Sequence, residues 1–251
     1  MVSGRYVVTD LKPYSEADNY KMHIDLKGIS FRHEKTDTLV FQNTDYRIQG
    51  PGFNAIFGPS GVGKTTLARI IAGETRNFNG LVDKMGTTRI LYTYNMERLP
   101  NWSSLGEHFS AVSGASKKAY LEEIIDIFGL GSVINARFSQ LSLGQQNRAN
   151  LTRYLVQDFD VLIMDESLAN VDEATKQRII LKIKQAFPEK IFLYISHNVV
   201  EVARFCKDII VVRRPSRQPQ VKTVSGFDFS GKEEPDQQTL EHIMLEIMNA
   251  S

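Results

Sequence analysis

An α/β fold with a mainly parallel, helix-flanked sheet is what this sequence predicts, and three observations carry the prediction. Short apolar runs recur at 54–57 (NAIF), 90–94 (ILYTY), 161–164 (VLIM) and 191–195 (IFLYI), with the length and continuity of strands buried on both faces. Segments with helical spacing separate them, the order expected of parallel strands joined by crossovers. Three of the runs end in polar residues: GPSGVGKTT at 58–66 after the first, Asp165 and Glu166 after the third, Ser196 and His197 after the fourth. Such sheets bind ligands outside the carboxyl ends of their strands.

Taken in order, residues 1–21 form a lead segment without clear pattern, and 22–48 alternates well enough for paired strands, an antiparallel N-terminal part. The run 54–57 then enters G-x-x-x-x-G-K-[ST], followed by a helix over 66–72 that Gly73 stops. Strand, glycine loop and helix are the context this phosphate-binding motif requires. Gly58, Pro59, Ser60, Gly61, Val62 and Gly63 would curl the backbone so that its N–H groups converge on phosphate oxygens, with Thr66 continuing the loop into the helix. Lys64 would neutralise the terminal phosphates, Thr65 would place its hydroxyl on Mg²⁺, and the helix N-terminus would face the same anion. The ligands implied are ATP and Mg²⁺.

After a short stretch at 74–89, the strand 90–94 leads to Asn95, and 96–140 becomes helical; 116–128 carries Leu121, Ile124, Ile125 and Phe128 at helical spacing before Gly129. LSLGQ at 141–145 opens a helix running through Asn150 and Leu155, and its serine and glycine at the helix start suit an anion. Cys206 falls in a helix over 201–207, where a small packing residue is expected. Residues 215–220 read as a turn between strands and 226–235 as a polar linker. A terminal helix at 237–248 puts Leu240, Ile243, Met244, Ile247 and Met248 on one face. That stripe packs on its own domain or serves a dimer contact or regulatory tail.

In these four ordered segments the chain resembles the ATP-binding subunits of ABC transporters over about residues 22–213, because LSLGQ is similar to the signature LSGGQ, with Leu143 in place of a glycine. The resemblance implies one P-loop NTPase domain spanning 1–251. In it, 22–95 and 146–213 form the RecA-like core with the β part, 96–145 the helical subdomain with the signature, and 214–251 a C-terminal extension. It implies that Ser142, Gly144 and Gln145 of one subunit close on the ATP of a second, and that Asp172 is the acid of the loop 167–172 crossing the interface, with Ser167 in place of the usual proline. Asp165 would hold Mg²⁺ through water, Glu166 would orient or deprotonate the attacking water, and His197 would be the switch histidine.

Two family positions depart further. Aligning Trp102 of ERLPNW with an importer tryptophan puts Asn95 where the family has the glutamine that contacts metal and water; the alternative is a turn residue. The aromatic that stacks on adenine falls at His33 or Phe31, with His33 preferred. The implied partners are transmembrane permease subunits, a second ATPase subunit and, through the permease, a solute-binding protein. Trp102 and Phe109 are either permease contacts or subdomain core. The ERLPNW region is similar to nitrate, sulfonate and taurine-type importers.

Composition agrees. The 251 residues are 42% hydrophobic, enough for one large core, and 30 basic against 29 acidic side chains leave a net charge of +1, which advertises no nucleic acid. One cysteine excludes an intrachain disulfide. With no apolar leader and no run of about 18 apolar residues, the expectation is a cytoplasmic subunit, peripheral on the inner membrane face, whose channel another chain supplies. A soluble ABC ATPase of DNA repair, translation or assembly, or a nucleotide-responsive module with little turnover, is the rival expectation.

Overall fold

The computed structural model describes residues 22–87, 89–95, 97–113 and 118–251, so the lead segment 1–21, Met96 and the start of the helical run at 116–117 lie outside the described residues. A small antiparallel sheet of order β2-β1-β4 is built from β1 (His23–Arg32), β2 (Leu39–Gln49) and β4 (Asn79–Met85). The main sheet contains β3 (Gly52–Phe57), β5 (Ile90–Tyr94), β6 (Val161–Asp165), β7 (Ile191–Ile195), β8 (Asp208–Val212) and β9 (Val221–Ser225) in the order β5-β6-β7-β3-β8-β9. All neighbours are parallel except β8 and β9, whose short turn forces an antiparallel pair.

Every residue of β6 and β7 is buried, the signature of parallel strands covered on both faces. Their period of two sorts the core into two layers. Phe53, Ala55 and Phe57 with Leu162, Met164, Phe192 and Tyr194 face one apolar cluster, while Ile56, Ile163, Leu193 and Ile195 face the other. Helix α1 (Lys64–Ala72) covers the second layer beside the small sheet. The helices α2 (Leu105–Val112), α3 (Lys118–Ile127), α4 (Leu143–Leu155), α5 (Glu173–Ala186), α6 (Val199–Phe205) and α7 (Gln237–Ala250) lie at the first layer.

Helix starts are specified locally. Ser104 and Glu107 form a capping box on α2, and Ser142 and Gln145 form another on α4. Asp172, Asn198 and Asp236 cap α5, α6 and α7 by accepting backbone N–H bonds.

The two sheets are joined by Gln220, which is fully buried. Its Oε1 accepts from Gln42 N (3.1 Å) and Thr44 Oγ1 (2.9 Å), and its Nε2 donates to the Val40 carbonyl (2.6 Å). One amide thus satisfies three groups of β2 that no strand reaches.

One open alternative is decided and two expectations are corrected. Phe109 is wholly buried and is a core residue of the helical part rather than an outer contact, whereas Trp102 is 83% exposed. Helix α6 ends at Phe205, leaving Cys206 as its buried C-cap, where burial pushes the thiol pKa well up. The stripe of α7 packs on α6 and on the β8–β9 pair, but Met248 faces solvent, because a helix of 3.6 residues per turn carries the fifth apolar position off the buried face. Among the described residues, no helix is long and apolar enough to cross a membrane.

Candidate functional site

The carboxyl ends of β3, β6 and β7 meet at one cleft. From β3 the chain turns through 58–63, and Gly63 has φ 111°, where a Cβ would come within 2.5 Å of Val40. Only glycine permits both that conformation and that approach. The loop folds over Lys64, whose Nζ donates to the carbonyls of Gly58 (2.8 Å) and Pro59 (3.0 Å). Burial lowers the lysine pKa, and the nearby charges of Glu166 and Asp165 work against that shift. A desolvated ammonium with only carbonyl partners is prepared for an anion.

Thr65 Oγ1 donates to Asp165 Oδ2 (2.8 Å), joining the first turn of α1 to the end of β6. Tyr92 OH donates to the same oxygen at 2.8 Å. Glu166 follows at φ 53°, a left-handed conformation in a non-glycine residue, and its N–H donates to the Ile195 carbonyl (3.1 Å). That bond brings the ends of β6 and β7 together, and His197 Nε2 lies 2.5 Å from Glu166 Oε1. His33, Ser60, Gly61, Lys64, Thr65, Thr66, Glu166 and His197 line one cavity of about 230 Å³. His33, Ser60 and Gly61 also border a second cavity of about 610 Å³, whose other walls include Val40, Val62 and Arg214. His33 is exposed at this junction with Phe31 edge-on beneath it, ring centroids 5.2 Å apart, so His33 is the ring that borders both spaces.

Asn95 sits beside Asp165, its N–H donating to the Asp165 carbonyl (3.0 Å), but its side chain is engaged elsewhere: Oδ1 accepts from Asn147 Nδ2 (3.0 Å). Asn147 also donates to the Ala169 carbonyl (2.6 Å). Farther along α4, Asn150 bonds the Glu97 carbonyl, while Arg153 and Tyr154 OH (2.7 Å) bond its carboxylate. A polar face of α4 therefore holds the segment after β5.

Other sequence-predicted residues lie away from the cleft's lining. Ser142 and Gln145 cap the exposed start of α4, with Leu143 half exposed. Gly144 rests against the turn before α5, where a Cβ would stand 2.6 Å from the Asn170 carbonyl oxygen. Asp172 Oδ1 accepts from Thr175 N (2.9 Å), and that backbone bond lowers its pKa. Sequence reasoning missed Tyr92, Asn147 and Glu201. Glu201 is buried, bonded by Tyr194 OH and by Ser196 Oγ (3.2 Å), and paired with Lys176 Nζ (3.3 Å). The available signal for Tyr92 and Glu201 was tyrosine inside the strands β5 and β7, since a buried phenol needs a polar partner.

Residues 41–169, from β2 through the turn after Glu166, match the family model described as ABC transporter. The chain belongs to the ABC transporter family. Among ABC relatives, the aliphatic sulfonates import ATP-binding protein SsuB 1 of Rhodococcus jostii (strain RHA1) is 32% identical over 187 residues, 71% of this chain and 74% of that one. The molybdenum import ATP-binding protein ModC of Saccharophagus degradans is 36% identical over 188 residues, 67% of this chain. The chain spans about half the length of that relative, 52%. In fold it is similar to a solved metal-chelate type ABC transporter in an inward-facing conformation, with a TM-score of 0.66 at 16% identity, covering 82% of this chain and 84% of that one.

Proposed function

We propose that the chain is the ATP-binding and ATP-hydrolysing subunit of a membrane transporter, an importer of a small solute. The observation that carries this reading is the convergence of Lys64, the Thr65–Asp165 contact and the Glu166–His197 pair on one cavity. Lys64 takes the terminal phosphates of ATP in exchange for its loop carbonyls. Glu166 accepts or orients the proton of the attacking water, and His197, within contact of that carboxylate, fixes its position and reaches the γ-phosphate. His33 and the larger cavity receive the nucleoside.

The donor set fits Mg²⁺: a threonine hydroxyl and a carboxylate, hard oxygens held 2.8 Å apart beside the phosphate loop. Bound there, Mg²⁺ neutralises charge on the phosphates. Asp165 and Thr65 would hold it.

Ser142, Gly144, Gln145 and Asp172 complete the site of a second subunit, a reading supported by their position away from the chain's own phosphate cavity, with Ser142 and Asp172 exposed. ATP closes the pair, hydrolysis opens it, and permease subunits on the inner membrane face take up the motion. The exposed Trp102 beside the segment held by α4 supports that docking. Relatives named for molybdenum, sulfonate and zinc transport support a small-solute cargo.

Glu166→Gln tests the assignment. The variant is expected to bind ATP as the parent does, to lose hydrolysis by about a hundredfold or more, and to run as an ATP-dependent dimer in size-exclusion chromatography. Hydrolysis at the parent rate would move the catalytic role elsewhere.

A further inference from the structure

We propose that Tyr92 is a positioning residue for the metal carboxylate Asp165, the middle of a relay that runs from Arg69 through the Tyr92 hydroxyl to Asp165 Oδ2. The proposal rests on the nucleotide and metal site described above. Tyr92 lies in the edge strand β5, which pairs with β6 so that Tyr92 stands opposite Ile163 and Tyr94 opposite Asp165. It is 6% exposed, and its hydroxyl reaches forward to Asp165 at 2.8 Å. Arg69, one turn into α1 from Thr65, brings its positive charge to the same hydroxyl.

The direction of this relay follows from chemistry. A carboxylate can only accept, so the single proton of the tyrosine goes to Asp165, and its oxygen is left to the guanidinium of Arg69, which has no acceptor. Thr65 and Tyr92 both donate to Oδ2. Two donors on one oxygen fix the rotation of the carboxylate about its Cβ–Cγ bond, and they leave Oδ1 as the oxygen offered to a metal-bound water. Donors behind a liganding carboxylate tune metal affinity by about ten- to a hundredfold when removed. Thr65 supplies one of these donors and Tyr92 the other, so loss of the Tyr92 hydroxyl leaves Oδ2 with a single donor.

The test is Tyr92→Phe, which keeps the ring and removes the hydroxyl, read by Mn²⁺ electron paramagnetic resonance titration of the full chain with a non-hydrolysable ATP analogue. The expected result is Mn²⁺ affinity about tenfold weaker, with metal-free nucleotide affinity unchanged. Arg69→Met, at a half-exposed side chain, should weaken Mn²⁺ binding about twofold to threefold, and it keeps the proposal testable if Tyr92→Phe folds poorly. Mn²⁺ affinity within a factor of 1.5 of the parent in a folded Tyr92→Phe protein, or in Arg69→Met where only that variant folds, would overturn the relay, whatever happens to the thermal midpoint. If the parent chain itself binds no nucleotide, it is the assignment of the site that fails, a result distinct from loss of the relay.

Discussion

Lys64 is held by its own loop. Its two carbonyl partners come from residues 58 and 59 and not from another element, so its removal breaks no hydrogen bond between elements. Lys64→Ala is therefore expected to weaken ATP binding by about a hundredfold, by loss of charge-assisted contacts. It should leave the thermal midpoint of the nucleotide-free protein equal to or above the parent's, because a desolvated cation is removed. Nucleotide titration beside a thermal melt checks both; a falling midpoint would show that the lysine is structural. At this scale the sequence told which residues meet at the cleft, since the motif's spacing places Lys64 and Thr65 together on its lining. It did not tell what Asn95 does. An amide shows its partner only once α4 is docked, and Asn147 lies 52 residues away.

Among elements, one close junction is between the start of α4 and the turn 167–172. Gly144 has no room for a Cβ because the Asn170 carbonyl stands in its place, and Asn147 one turn on bonds the Ala169 carbonyl. Alanine is a better helix former than glycine by about 1 kcal/mol, but overpacking against backbone costs about 1–3 kcal/mol. Gly144→Ala should thus lower the midpoint by roughly 2–6 °C in a chain of this size. A midpoint at or above the parent's would mean that the turn yields freely. The strands and capped helices were legible from local pattern, because apolar runs and capping residues act within a few positions. The junctions were not, because they are made by single small or polar residues whose partners are distant in sequence. Phe109 shows the same limit: an aromatic on a helix reads alike as core or as contact until its neighbours are known.

For the molecule as a whole, Gln220 is the buried side chain that hydrogen-bonds the small sheet to the main one, with the Tyr46–Thr223 hydroxyl pair (2.7 Å) beside it at the surface. Loss of Gln220 strands the Val40 carbonyl and the Thr44 hydroxyl in a buried place, and each unpaired group costs about 1–3 kcal/mol. Gln220→Leu, which keeps the volume, is expected to lower the midpoint by roughly 5–15 °C while the far-ultraviolet circular dichroism of the folded state stays unchanged. A smaller loss than about 2 °C would show that water replaces the amide. His33 in the small sheet and the P-loop in the main sheet border the same cavities, so slack at Gln220 should also appear as weaker nucleotide affinity. The strands of both sheets were legible as apolar or alternating runs, whereas the side-chain bond between the sheets was not.

Glu166 places two demands in opposition. Its φ of 53° is a conformation that costs a residue with a Cβ about 1–2 kcal/mol and that glycine or asparagine tolerates far better. Its exposed contact with His197 returns little of that in water. Glu166→Gly should then melt roughly 2–4 °C above the parent and turn over no ATP. A screen for heat resistance alone would discard the carboxylate, so its presence in the chain is a record of selection for work done, at the expense of durability.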